Sequence, residues 1–337
     1  MNIIFSVLII SAIFSIFFNK IIKKINIYDH PDGIRKFQKN KIPCVGGIYF
    51  YIIFFLIFLY FLFFSNLDFF FKIFLFQTKK ELILFFICAT CLFLIGLYDD
   101  KYQMESKIKT LILLSIIFFF VYHVERFQIS EIRSSIINYE ITLGNLSIFF
   151  TTICIFSFLV ASNMFDGSNG QSFINFLSIL MFLFYKSLFT ELSLFLIMIL
   201  SFFAIYNFKN LAYLGDNGVY FFSFILAYLI VTNYNQDKTI YVEEIVVILI
   251  IPIIDMIRLF INRAFLGKNP FLPDATHLHH IIKKKLGEKK LIYILFFLFF
   301  VPLLFLIFVK INYYLIITFQ FLIYIYLTFI NKIYQTK

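Results

Sequence analysis

Runs of Phe, Ile and Leu, each long enough to cross a bilayer, alternate with short polar islands along the whole of this 337-residue chain. Inside hydrocarbon no water is present to satisfy backbone N–H and C=O groups, so an apolar run of about 17–25 residues folds as a helix. Eleven such runs fall near 3–19, 44–64, 82–98, 108–124, 145–162, 171–186, 189–206, 216–232, 243–261, 291–309 and 311–330. The chain is 62% hydrophobic and 14% charged, whereas a soluble domain holds about 45–50% apolar and about 25% charged residues. The pattern implies an all-α polytopic membrane protein with about eleven transmembrane helices, forming one integral-membrane domain over 1–337.

The basic residues give the fold a side. Of the 29 Lys and Arg residues, 21 fall in one set of connections and the tail, among them Lys20, Lys23, Lys24, Arg35, Lys36, Lys101, Lys107, Lys109, Arg258, Arg263 and Lys283–Lys285. The positive-inside rule makes that set cytoplasmic, which puts the N-terminus outside and the C-terminus in the cytoplasm. The formal charge of +10 then reflects cytoplasmic loops and anionic lipid, and no nucleic-acid partner is implied. The 53 Phe residues and absence of Trp mark a drift of the whole composition and not an aromatic ligand site. Cys88 and Cys91 have redox-motif spacing but lie within an apolar run, where packing is the simpler role. Residues 1–19 lack a basic start and a small-residue cleavage site, so they are expected to be a retained helix.

Five polar islands, near 20–43, 99–107, 163–170, 207–215 and 262–290, all fall on the cytoplasmic side by this count. Polar and acidic groups at membrane-helix ends are costly, so they point to chemistry. Asp99-Asp100 either binds a divalent cation, supplies a base tuned by its neighbour, or simply anchors a helix end. Asn163-Met-Phe-Asp166-Gly-Ser-Asn169-Gly170 offers three short hydrogen-bonding side chains and two glycines, suited to a base or sugar edge, to a cation shell, or to a plain turn. Asp216, between Gly215 and Asn217-Gly218, either approaches a metal-bound diphosphate or caps a helix. His277, His279 and His280 precede Lys283, Lys284 and Lys285, a grouping that favours phosphate over Zn²⁺. Arg35 and Lys36 are placed to receive an anion, and Gly46-Gly47 permits a close backbone approach. His30 and His123 are read as structural.

Taken in order, Asp29-x-Pro, Arg35-Lys36, Pro43-x-x-Gly-Gly, Gly96-Leu-x-Asp-Asp, Asn163-x-x-Asp-Gly-x-x-Gly, Gly215-Asp-x-Gly and Pro270-Phe-x-Pro-Asp-x-x-His-x-His-His resemble the motifs of the polyprenyl-phosphate N-acetylhexosamine-1-phosphate transferases. These bacterial membrane enzymes include the phospho-MurNAc-pentapeptide translocase. The likeness runs from about Asp29 to Gly287, and the close spacing of Asp100 to Ser106-Lys107-Ile-Lys109 looks like the GlcNAc-transferring branch. It implies transfer of a sugar-1-phosphate from a UDP-sugar to polyprenyl phosphate, with release of UMP, at the cytoplasmic face of the inner (plasma) membrane. It also implies Mg²⁺, with Mn²⁺ as the alternative, held by Asp216 and Asp100. Asp99 would position or deprotonate the lipid phosphate. Asn163, Asp166, Asn169 and Asn207 would line the donor site, and the three histidines would hold phosphates. Family members are often dimers.

The chain departs from the pattern at three positions and one spacing. Asn169 stands where the family has a second Asp, Val219 where it has Ser, and Gln38 where it has His. The stretch between Asn207 and Asp216 is one residue shorter than usual. The alternative class is a transporter or flippase, but transporters place polar groups near mid-membrane and show paired repeats. Neither feature is evident in this sequence.

Overall fold

Each apolar run of the sequence coincides with a helix in the computed structural model, which describes residues 2–31, 40–64, 76–135, 140–186, 189–270, 276–309 and 312–333. In chain order the helices are α1 (Asn2–Ile25), α2 (Gly46–Phe64), α3 (Lys79–Tyr102), α4 (Ser106–His123), α5 (Ser147–Phe165) and α6 (Gln171–Tyr185). There follow α7 (Thr190–Phe208), α8 (Gly215–Gln236), α9 (Val242–Phe265), the short α10 (Leu278–Leu286), α11 (Glu288–Leu304) and α12 (Tyr313–Ile333). Two small antiparallel ribbons interrupt the helical pattern, β1 (Tyr28–Asp29) with β2 (Ile42–Pro43) and β3 (Glu131–Arg133) with β4 (Glu140–Thr142).

Six helical stretches are long and apolar enough to cross a membrane: 79–102, 106–123, 144–165, 190–208, 215–236 and 288–309. Three further apolar helical stretches run, among the described residues, through Gly46–Leu59, Gln171–Tyr185 and Tyr313–Phe329. α9 is diluted by Glu243, Glu244, Asp255, Arg258 and Arg263. The chain is therefore a multi-pass membrane protein, with six crossings accounted for by length and composition among the described residues.

α8 is the hub. From Asn217 to Tyr234 every one of its residues is buried, which fits a helix that is apolar all round and so packs on all sides. Its rings meet those of three neighbours: Phe222 lies 4.9 Å from Phe50 of α2 and 5.2 Å from Phe176 of α6, and Phe224 lies 5.4 Å from Phe85 of α3. The Phe-rich composition is thus absorbed as packing.

The two ends of the bundle differ. At one, buried ion pairs act as clasps: Arg126 donates to Glu81 at 2.6 Å, Tyr228 shares that carboxylate at 2.9 Å, and Lys186 pairs with Glu244 at 2.9 Å. Removing one partner of such a pair leaves a bare charge and costs about 3–5 kcal/mol. At the other end the motif loops gather. The β1–β2 ribbon is extended by Tyr213, whose N–H donates to the Pro43 carbonyl at 2.9 Å. Gly46 and Gly47 donate in turn to the carbonyls of Tyr213 and Leu214. The connection between α1 and α2 is thereby stitched to the entrance of α8.

Candidate active site

The last turn of α3, the first turns of α4 and α8, and the end of α5 bring four polar residues to one point. Lys109 Nζ lies 2.7 Å from Asp99 Oδ2 and 3.3 Å from Asp216 Oδ2. The Asn163 side chain faces the same Asp216 carboxylate. One ammonium thus bridges two carboxylates that approach each other closely enough to interact. Without a cation between them, partly buried like charges at this separation repel by several kcal/mol. Asp99 is fixed further by the Met104 N–H, 2.7 Å from Oδ1.

Asp100 is held differently. Its Oδ1 accepts from the Asp216 N–H at 2.9 Å and its Oδ2 from the Asn217 N–H at 3.0 Å, with the Asn217 amide also donating to it. A carboxylate on the free N–H groups of a helix N-terminus is the favourable arrangement for a negative charge. The residue read from sequence as a metal ligand beside Asp216 therefore caps α8, with both oxygens engaged.

Close helix approach makes this possible. A Cβ at Gly96 would meet the Asn217 backbone at 2.5 Å, and one at Gly47 would lie 1.9 Å from Asn217 Oδ1 and 2.3 Å from the Gly218 nitrogen. The backbone approach expected at Gly46-Gly47 is thus an approach of protein to protein. Gly215, at φ +74°, supplies the left-handed turn that starts α8.

Asp166 accepts from the Ser172 hydroxyl at the start of α6. It lines a small cleft with Phe173, Leu200, Phe203, Asn207 and Leu214. Burial pushes its carboxyl up to about 7, offset in part by Ser172 and reinforced by the Asp216 and Asp29 carboxylates. Asn207 acts as a clamp between two motif loops: Oδ1 accepts from the Gly170 N–H at 2.7 Å and Nδ2 donates to the Ala212 carbonyl at 3.2 Å. Asn169 is buried and donates to Asn210 at 2.5 Å and to Glu288 at 3.3 Å, while its own Oδ1 has no partner.

The histidines sit where α10 begins. The His277 and His279 rings stack at 5.3 Å, and His280 lies 4.2 Å from His279. His279 packs directly on the Asp166 loop, since a Cβ at Gly167 would fall 2.0 Å from its Nε2. Burial, then the neighbouring His280 and His277, holds His279 well below the ordinary imidazole range, so it is neutral at pH 7. His279 is therefore a neutral hydrogen-bonding group and not a cation. His277 lies 3.4 Å from Asp255, a carboxylate 2% exposed within α9.

The structure thus gathers Asp99, Asp100, Asp216 and Asn163 in one cluster, with Asp166, Asn169 and Asn207 in the adjoining loops and the histidines packed on Gly167. Arg35, Lys36, Gln38 and Asp274 lie outside the described residues. Sequence reasoning did not single out Lys109, Asn217 or the Asp255–Arg258 pair. An Asp and an Arg three residues apart inside an apolar run were the available signal for the last. Among the described residues, no group of three or more His, Cys, Asp or Glu side chains is disposed to hold a metal ion. Mg²⁺ does not need such a cage, because it commonly binds one or two carboxylates together with substrate phosphates. Asp99 and Asp216, whose Oδ2 atoms already face one cation, fit that requirement.

One end of the helical membrane bundle thus carries an acidic cluster bridged by a lysine. Residues 82–234 match the model of glycosyl transferase family 4. The chain is 26% identical over 294 residues to an undecaprenyl-phosphate alpha-N-acetylglucosaminyl 1-phosphate transferase of Escherichia coli K12, covering 83% of this chain and 75% of that protein. It is also 26% identical over 292 residues to the protein of the same name from Thermotoga maritima, covering 84% of each. Over residues 82–234 the chain is thus similar to glycosyl transferase family 4. The matched stretch holds Asp99, Asp100, Lys109, Asn163, Asp166 and Asp216, and ends before the histidines.

Proposed function

We propose that this protein transfers N-acetylglucosamine-1-phosphate, or a closely related N-acetylhexosamine-1-phosphate, from its UDP-sugar to polyprenyl phosphate. The observation that carries the reading is the bridging of Asp99 and Asp216 by Lys109 at the mouth of α8. Its support is the shared name of the relatives. An oxygen of the acceptor phosphate attacks the sugar-bearing phosphorus of the donor. The bond from that phosphorus to the bridging oxygen breaks, and UMP leaves. The product keeps two phosphates between lipid and sugar. The lipid phosphate is itself a strong nucleophile, so a single displacement needs no covalent enzyme intermediate.

Two anions must meet for this reaction, and the site's task is to offset their repulsion. The Lys109 ammonium can turn from Asp216, its longer contact, to a phosphate oxygen while Asp99 keeps hold of it. Asp216 and Asp99 would hold Mg²⁺, which when bound would neutralise charge on the diphosphate. Asp100 keeps the start of α8 in register with α3. Asn163 and Asp166 face the nucleotide, Asn169 and Asn207 shape that loop, and His277, His279 and His280 face the phosphates. Arg35 and Lys36 would add positive charge where the acceptor arrives. With eleven crossings, N-terminus outside and C-terminus inside, all these loops lie on the cytoplasmic face of a bacterial inner membrane. Its donor is then cytosolic and its acceptor lies within the bilayer; a homodimer is compatible with this arrangement.

The test is UMP release by purified protein in detergent with undecaprenyl phosphate and a panel of UDP-sugars, with and without EDTA. Release that requires both substrates and stops with EDTA supports the reading. Absence of release with every donor, from folded protein, refutes it.

A further inference from the structure

Asp255 is buried in the middle of α9, and its partners explain why a carboxylate is tolerated there. Oδ1 accepts from Arg258 Nη2 at 2.7 Å and from the Tyr324 hydroxyl at 2.8 Å. Oδ2 lies 3.4 Å from His277 Nδ1. The Leu278 N–H, one of the free donors at the start of α10, points at both oxygens at 3.3 and 3.4 Å. Arg258 reaches the same stretch by donating to the Thr276 carbonyl at 2.8 Å, and its Nε donates to Tyr324 at 2.6 Å.

Three consecutive residues are gripped by one buried ion pair: Thr276 by its carbonyl, His277 by its ring and Leu278 by its N–H. Anchoring the chain requires only the two backbone contacts. The contact to the ring is additional, and it has a chemical consequence. A carboxylate on one imidazole nitrogen fixes which nitrogen carries the proton and which way the ring faces, leaving the other nitrogen for a second partner. His277 in turn stacks on His279, which rests against the Asp166 loop.

We propose that Asp255 is a positioning residue that holds the His277 imidazole with Nδ1–H toward the carboxylate and Nε2 free for the donor's diphosphate. Arg258 and Tyr324 fix that carboxylate in turn. Tyr324 comes from α12, so the last helix of the chain belongs to the reacting unit through this contact. The inference rests on the transferase reading above.

The test is a pair of double-mutant cycles on the full-length protein in detergent. They use UDP-GlcNAc and undecaprenyl phosphate, with UMP release and melting temperature both recorded. Asp255→Asn is expected to lower kcat/KM for the donor by roughly 10- to 100-fold, the range for partners that orient a working histidine. Tyr324→Phe keeps the carboxylate and is expected to cost several-fold. In a His277→Ala background both losses should disappear, since the group being positioned is gone. A merely structural role would lower the melting temperature and leave the losses additive, and that result overturns the proposal. If Asp255→Asn does not fold, the Tyr324→Phe cycle decides on the same criterion. Wild-type protein that releases no UMP would instead refute the transferase reading itself.

Discussion

Gly96→Ala tests whether the carboxylate cluster depends on how closely α3 approaches α8. The added Cβ would meet Asn217 Cα and N at 2.5 Å and the Asp216 carbonyl carbon at 2.6 Å. All three are backbone atoms, so no rotamer change relieves the contact. Restoring ordinary contact at 3.4 Å requires the helices to part by about 1 Å. The Asp100 bonds at 2.9 and 3.0 Å would then open to about 4 Å, beyond hydrogen-bond range. Lys109 and Asp99 would retreat from Asp216 in the same movement. Overpacking of this kind costs about 1–3 kcal/mol, which leaves a folded protein. A displacement of about 1 Å at the reacting groups costs about 100-fold in rate. The assay is UMP release per mole of folded protein, with melting temperature and gel-filtration profile as controls. A folded Gly96→Ala variant with turnover within about threefold of wild type would refute the reasoning.

Other perturbations bear on separate parts of the account. Asp216→Asn is expected to abolish turnover, and Asp99→Asn to lower kcat more than donor affinity; wild-type turnover in both would remove the cluster from the mechanism. Asp166 has a folded-state pKa near 7, above its unfolded value, so the folded state binds the extra proton and stability falls as pH rises from about 4 to 7. Asp166→Asn should flatten that decline in melting temperature between pH 5 and 8, and parallel curves for the two proteins would contradict the burial argument. Lys109→Met should lower the melting temperature of metal-free protein, with Mg²⁺ restoring part of the loss; a melting temperature indifferent to both would show that no cation is needed between Asp99 and Asp216.

The helices were legible because membrane spans announce themselves by length and apolarity, and every apolar run of the sequence coincides with one. The six long spans are the clearest cases. α9 is harder, since Asp255 and Arg258 look like interruptions until their partners on α10 and α12 are known. The convergence of the motif loops was legible as order and spacing, but the roles within them were not. Gly46-Gly47 announced a close approach without naming Asn217 as what approaches. Asp100 and Asp99 are adjacent in sequence, yet one caps α8 while the other pairs with Lys109, because consecutive residues at a helix end point about 100° apart. Asn207 was read toward substrate, but its amide joins the Gly170 and Ala212 backbones. The contacts that join different motif loops, such as Asn207 to Gly170 and Asp100 to Asn217, span 37 and 117 residues, and local pattern carries no trace of them.

The most direct test of the central claim is the mass of the lipid product formed with UDP-GlcNAc and undecaprenyl phosphate, together with the identity of the nucleotide released. Transfer of a sugar-1-phosphate predicts a lipid bearing two phosphates and one N-acetylhexosamine, with UMP in equal amount. A lipid bearing a single phosphate with UDP released, or lipid left unmodified by folded protein, would contradict it.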